Sequence, residues 1–175
     1  MQQAFWSQIR KEPNMKKNNI VTLIIAIIIP LVVGGMSSFL TKDAMMIFDS
    51  VKKPPLSPPG ILFPIVWTIL YVMMGVSSYL IYKEKDNVNV KGLVKSTLII
   101  YGVQLFFNFF WSILFFKYSL YMVAFIWLVI LWILVFVFIK NALKINKIAS
   151  YLMIPYLMWM TFAGYLNIMI AILNK

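Results

Sequence analysis

The sequence predicts an all-α membrane protein, a bundle of five transmembrane helices, and three observations carry that prediction. Of its 175 residues 62% are hydrophobic and only 12% charged, against about 45–50% and about 25% in a soluble domain. The charges are clustered, leaving five runs that contain no Lys, Arg, Asp or Glu, each close to the roughly 20 residues that a helix needs to cross a bilayer. A chain of this length has too little interior to hide so much apolar surface, so lipid must act as its solvent.

Residues 1–19 form a polar tail, expected to fray, and Met15-Lys16-Lys17 would make an ordinary start of its own. The first span covers residues 20–40. It is too long for a cleavable signal and lacks an obvious small-x-small exit. Pro30 should kink it, and Gly34-Gly35-Met36-Ser37-Ser38 offers small residues for close helix approach. Residues 41–60 are the only long connection, of a length usually reserved for functional loops. Within it Lys53-Pro54-Pro55-Leu56-Ser57-Pro58-Pro59-Gly60 is stiff, because four prolines fix φ and remove four amide donors. It can be a rigid turn or a lid over a cavity mouth. The remaining spans are residues 61–82, 96–116, 119–139 and 148–173, the last interrupted by Pro155. Residues 20–173 thus make one five-helix transmembrane domain, with the loop 41–60 on its outer side.

That side follows from the basic residues. The tail and the second and fourth connections hold eleven Lys and Arg, against five in the other connections and the C-terminal end. Positive residues stay in the cytoplasm, so the N-terminus is expected there, in a multi-pass protein of a bacterial cell membrane. A net charge of +11 could mark a nucleic-acid binder, but lysines distributed in short pieces between apolar runs report membrane orientation instead. Cys and His are absent. That removes disulfides, thiolate or histidine metal sites and nucleophile–histidine pairs; no phosphate-binding glycine loop is present either. No carboxylate lies in a span and no histidine exists, which counts against a proton-coupled transporter.

The informative residues are polar or aromatic side chains inside spans. Gln104, Asn108 and Trp111, at i, i+4 and i+7, share one face of the third span. Carboxamides in hydrocarbon must bond inside the bundle, either as glue between helices or as the few polar contacts of a ligand pocket. Asn167, with Thr161 in its helix, admits the same two readings. Tyr82, Tyr118 and Tyr121 sit at span ends and fit interfacial anchoring. Trp67 with Tyr71, and Trp159 with Ala163, are i, i+4 pairs deeper in their spans. They are plain packing or the walls of a slot for a flat aromatic ligand.

Three motifs together resemble a known family. Lys53-Pro54-x-x-x-Pro58-Pro59 with Pro64-x-x-Trp67-x-x-Leu70-Tyr71-x-x-Met74-Gly75-x-x-Ser78-Tyr79-Leu80 is similar to the first loop and second helix of the translocator protein family. That family is also known as TspO/MBR, the tryptophan-rich sensory proteins or the peripheral benzodiazepine receptors. Gln104-x-x-x-Asn108-x-x-Trp111 resembles its third-helix motif, and Pro155-Tyr156-x-x-Trp159-x-x-Phe162-Ala163-x-x-Leu166-Asn167 its fifth. The resemblance implies a five-helix bundle, commonly a homodimer, binding protoporphyrin IX or a related flat tetrapyrrole beneath the first loop, with no cofactor required. Its ligand-binding residues would be Phe48, Trp67, Tyr71, Gln104, Asn108, Trp111, Trp159, Ala163 and Asn167. The implied role is porphyrin or stress regulation in a lipid membrane. Two alternatives are a light- and oxygen-dependent breakdown of the porphyrin that uses Trp67 and Trp159, and passive carriage of tetrapyrroles or lipids. Many members carry a tryptophan where Leu56 stands, and the tyrosine and basic residue of a cholesterol motif are missing after Leu166.

Overall fold

The structure is a computed structural model; it describes residues 2–44 and 50–174, with side chains from residue 19 onward. Helix α1 is Gln2–Thr41, closed by a 3-10 turn Lys42–Ala44. Then come α2 (Leu62–Lys83), α3 (Lys91–Ser112), α4 (Tyr121–Ile145) and α5 (Lys147–Leu173). Each is long and apolar enough to cross a membrane. Helical backbone runs back through the segment expected to fray. Its Gln, Lys, Arg and Glu are good helix formers, and a span already nucleated extends them at little cost.

The connections follow from local chemistry. Between α4 and α5 a single residue turns the chain: Asn146 is extended at φ −151° and ψ 113°, and its side chain accepts a 3.1 Å bond from the Ala149 amide. That is an N-cap, worth about 1 kcal/mol. At its C-terminal end α3 widens into a π-helical stretch, Ile113–Lys117. The Tyr118 amide there reaches back to the Ile113 carbonyl at 3.1 Å. Ser119, at φ 53°, then turns the chain into α4.

The helices close into a ring in the order α1, α2, α5, α4, α3, with α3 returning to α1. Small side chains set the tightest contact. A Cβ on Gly75 would lie 2.5 Å from the Ile27 Cα, so α2 meets α1 backbone to backbone. The centre is filled by Met74, Leu131, Phe138, Met153, Tyr156 and Met160. Outside, Ile24, Ile25, Ile28, Ile29, Ile126 and Ile133 are exposed. That arrangement is unfavourable in water and neutral in lipid. Ser77 on α2 donates to the Ala149 carbonyl at 2.7 Å, and Ser150 on α5 donates to the Ile139 carbonyl at 3.1 Å. Both hydroxyls are thereby satisfied where no water is available.

Candidate functional site

The face of α3 that carries Gln104, Asn108 and Trp111 points into the bundle, and all three are buried. Asn108 uses both ends of its amide. The Tyr71 hydroxyl donates to its Oδ1 at 2.7 Å, and its Nδ2 donates to the Tyr156 hydroxyl at 2.9 Å. One carboxamide therefore ties α2, α3 and α5 together. One level nearer the loop side, Trp111 Nε1 donates to Asn167 Oδ1 at 3.2 Å, and Asn167 Nδ2 donates to the Tyr121 carbonyl at 2.7 Å. Gln104 differs: neither amide atom has a partner among the described residues, although the side chain is wholly buried. Leaving such a group bare costs about 1–3 kcal/mol.

Against these residues lies a cavity of about 620 Å³, within the range of about 300–1,000 Å³ usual for small-molecule sites. α1 supplies Leu31, Gly34 and Gly35, α2 supplies Phe63, Trp67 and Tyr71, and α3 supplies Trp111 and Phe116. Trp67 is the hub of its aromatic wall. Its ring stacks on Tyr71 at 5.5 Å and 29°, is tilted against Trp111 at 6.4 Å, and meets Tyr156 edge-on at 6.0 Å. Gly34 makes room for this wall, since a Cβ there would collide with the Tyr71 ring.

Of the residues the sequence singles out, Trp67, Tyr71 and Trp111 line the cavity. Asn108 and Asn167 sit behind it and hold aromatic residues in place. Gln104 lies on α3 four residues before Asn108 and seven before Trp111. Trp159 packs edge-on to Phe63 at 6.0 Å, with its Nε1 buried and unbonded, and neither it nor Ala163 lines the cavity. Phe48 falls outside the described residues. Sequence reasoning passed over the contribution of α1 and the bonding role of Tyr156. The run Gly34–Ser38 was visible as a small-residue stripe; Gly34 takes the close contact with Tyr71, and Ser37 donates to the Phe109 carbonyl of α3 at 3.2 Å. Gly35 has nothing within 4 Å of its Cβ position and leaves open space. Tyr156 had a signal too, since a hydroxyl in mid-span needs a partner.

The proline segment lies beside the loop-side end. The Ser57 amide and Oγ both donate to the Pro54 carbonyl, at 3.3 and 2.8 Å, which folds Pro54–Ser57 into a turn. Leu56 occupies its third position with φ 69° and is exposed, where glycine or asparagine is the usual residue. Two ties fasten this loop to α5. The Tyr165 hydroxyl donates to the Pro55 carbonyl at 3.1 Å. Asn174 accepts from the Lys52 amide and donates to the Lys52 carbonyl, both at 3.0 Å. Where the loop enters α2, Gly60, Ile61 and Pro64 line the cavity mouth. Among the described residues no cluster of acids could hold a metal ion.

With this geometry in hand, comparison with known proteins is specific. The model of the TspO/MBR family matches residues 26–173. The chain is 36% identical over 159 residues to the tryptophan-rich protein TspO of Chlorobaculum tepidum, covering 89% of this chain and 97% of that one. It is 34% identical over 157 residues to the tryptophan-rich protein TspO of Archaeoglobus fulgidus, covering 89% and 99%. With the translocator protein of Ovis aries it shares 31% identity over 136 residues, covering 77% and 79%.

Proposed function

Since this chain belongs to the TspO/MBR family and is an integral multi-pass membrane protein, we propose that it binds a flat tetrapyrrole of the protoporphyrin IX type and acts in porphyrin or stress regulation. The observation that carries this reading is the cavity wall built from Trp67, Tyr71 and Trp111. A planar macrocycle gains from such a wall by stacking, about 0.5–1.5 kcal/mol per ring beyond the area it buries. Pre-organisation supports the reading further. Tyr71 and Trp111 are each fixed by a hydrogen bond to a carboxamide, so little side-chain freedom is lost on binding.

A second reading, light- and oxygen-dependent breakdown of the bound porphyrin, draws support from the contact of Trp67 with three other electron-rich rings. Trp159 lies outside the cavity lining and lends it less.

The test is titration of the purified protein with protoporphyrin IX in darkness, followed by tryptophan fluorescence. Saturable quenching is expected, with Trp67→Ala weakening affinity about tenfold, equivalent to 1.4 kcal/mol. Absence of saturable binding to the unaltered protein would refute the proposal. Illumination of the same samples then distinguishes the two readings: a single stoichiometric photoproduct, lost in Trp67→Phe, favours breakdown.

A further inference from the structure

We propose that the cavity is a slot for an amphipathic acid that reaches it through the lipid, and that Lys42 holds the acid group. The inference deepens the tetrapyrrole reading and rests on it for the first probe used below.

Among the described residues that line the cavity, Lys42 alone is charged. It stands in the 3-10 turn that ends α1, exposed, with its ammonium 4.7 Å over the Phe39 ring. Asp43 beside it is exposed and does not line the cavity. The cation stands near the end of a span, where a long basic side chain can keep its charge in the polar head-group layer.

The side of the cavity is open as well as its end. Gly35 and Ser38 of α1 and Pro64 and Thr68 of α2 line it and are exposed, although all four lie within membrane spans. Spacings of three and four residues put each pair on one helix face, so the pairs form the two rims of a slit between α1 and α2. Gly35, Ser38 and Lys42 follow one another along one face of α1. A molecule lying along that line would set an apolar body against Trp67 and a carboxylate against Lys42. Such a molecule already resides in the membrane, its acid group at the surface and its body among the lipid chains. Access through the slit leaves undisturbed the loop-side ties to Tyr165 and Asn174.

The experiment places the purified full chain in phosphatidylcholine vesicles and measures tryptophan quenching by two pairs of probes. These are protoporphyrin IX with its dimethyl ester, and pyrenebutyrate with its methyl ester, each corrected for partition into protein-free vesicles. The unaltered protein is expected to prefer the acid about tenfold. Lys42→Met abolishes the preference, while Lys42→Arg retains it. Gly35→Trp, which fills the slit, slows association of the vesicle-dissolved acid. No preference in either pair, or a preference that survives Lys42→Met, would overturn the role of Lys42; an unchanged rate in Gly35→Trp would overturn the lateral route. Displacement of the probes by phosphatidylglycerol would also overturn the proposal and assign the lysine to lipid head groups. If only the pyrene pair binds, with the Lys42-dependent preference, the tetrapyrrole reading fails and this one stands.

Discussion

Asn108 and Gln104 are both buried carboxamides on one face of α3, yet opposite outcomes are expected when each is made apolar. Asn108→Leu removes an acceptor from Tyr71 and a donor from Tyr156, leaving two buried hydroxyls unpaired. A loss of about 1–3 kcal/mol is expected, measured as a lower unfolding temperature in detergent. Porphyrin affinity should move less, because Asn108 does not line the cavity. Gln104→Met removes an amide that has no partner among the described residues, so stability should hold or rise by up to about 1 kcal/mol. A marked fall would mean that ordered water satisfies the amide. At this scale the sequence showed which helix faces carry Trp67, Tyr71 and Trp111 but left packing and slot wall as alternatives for the α2 pair; the structure sets all three along the cavity. The sequence was illegible for Trp159, because an i, i+4 pair defines a helix face without saying which neighbour that face meets.

Helix boundaries were largely readable because charge marks them: uncharged runs of membrane length stand between lysines. There are two exceptions: α1 starts at Gln2, well before its apolar run, and at the end of α3 the π-helical stretch Ile113–Lys117 continues the span in a wider coil, a change of which hydrophobic pattern carries no trace. The most exacting contact between elements is at Gly75. Gly75→Val places branched methyl groups against the backbone of Ile27 and Ala26, so α1 must move outward. A loss of about 1–3 kcal/mol is expected, as for overpacking generally. Porphyrin binding should weaken along with it, since α1 carries one wall of the cavity. Gly35→Ala, facing open space, is the matched control and should leave the unfolding temperature unchanged. Equal effects of the two substitutions would contradict the packing described.

For the whole molecule, five spans and their alternating direction were evident, but the order around the ring was not. That order places α2 beside α5 and α3 beside α1, contacts between segments far apart in sequence that uniform apolar surfaces do not specify. Orientation is open to direct measurement. The distribution of Lys and Arg leads to a cytoplasmic N-terminus and an external proline loop. The chain has no cysteine, so a single introduced thiol gives a clean signal. Ser57→Cys in intact cells should react with a membrane-impermeant thiol reagent, and Ser7→Cys only after lysis. The reverse pattern would invert the topology.

The double tie between Lys52 and Asn174 spans 122 residues of chain, and this has a consequence for how the protein is made. Synthesis runs from the N-terminus at about 5–20 residues per second. The proline loop therefore leaves the ribosome several seconds before the residue that fastens it exists. Through that interval α1, α2 and α3 can be threaded into the bilayer with the loop unfastened. The seat of the loop is thus set late, and a nascent chain stalled before α5 is made would leave Lys52 open to protease while α1 and α2 were already inserted.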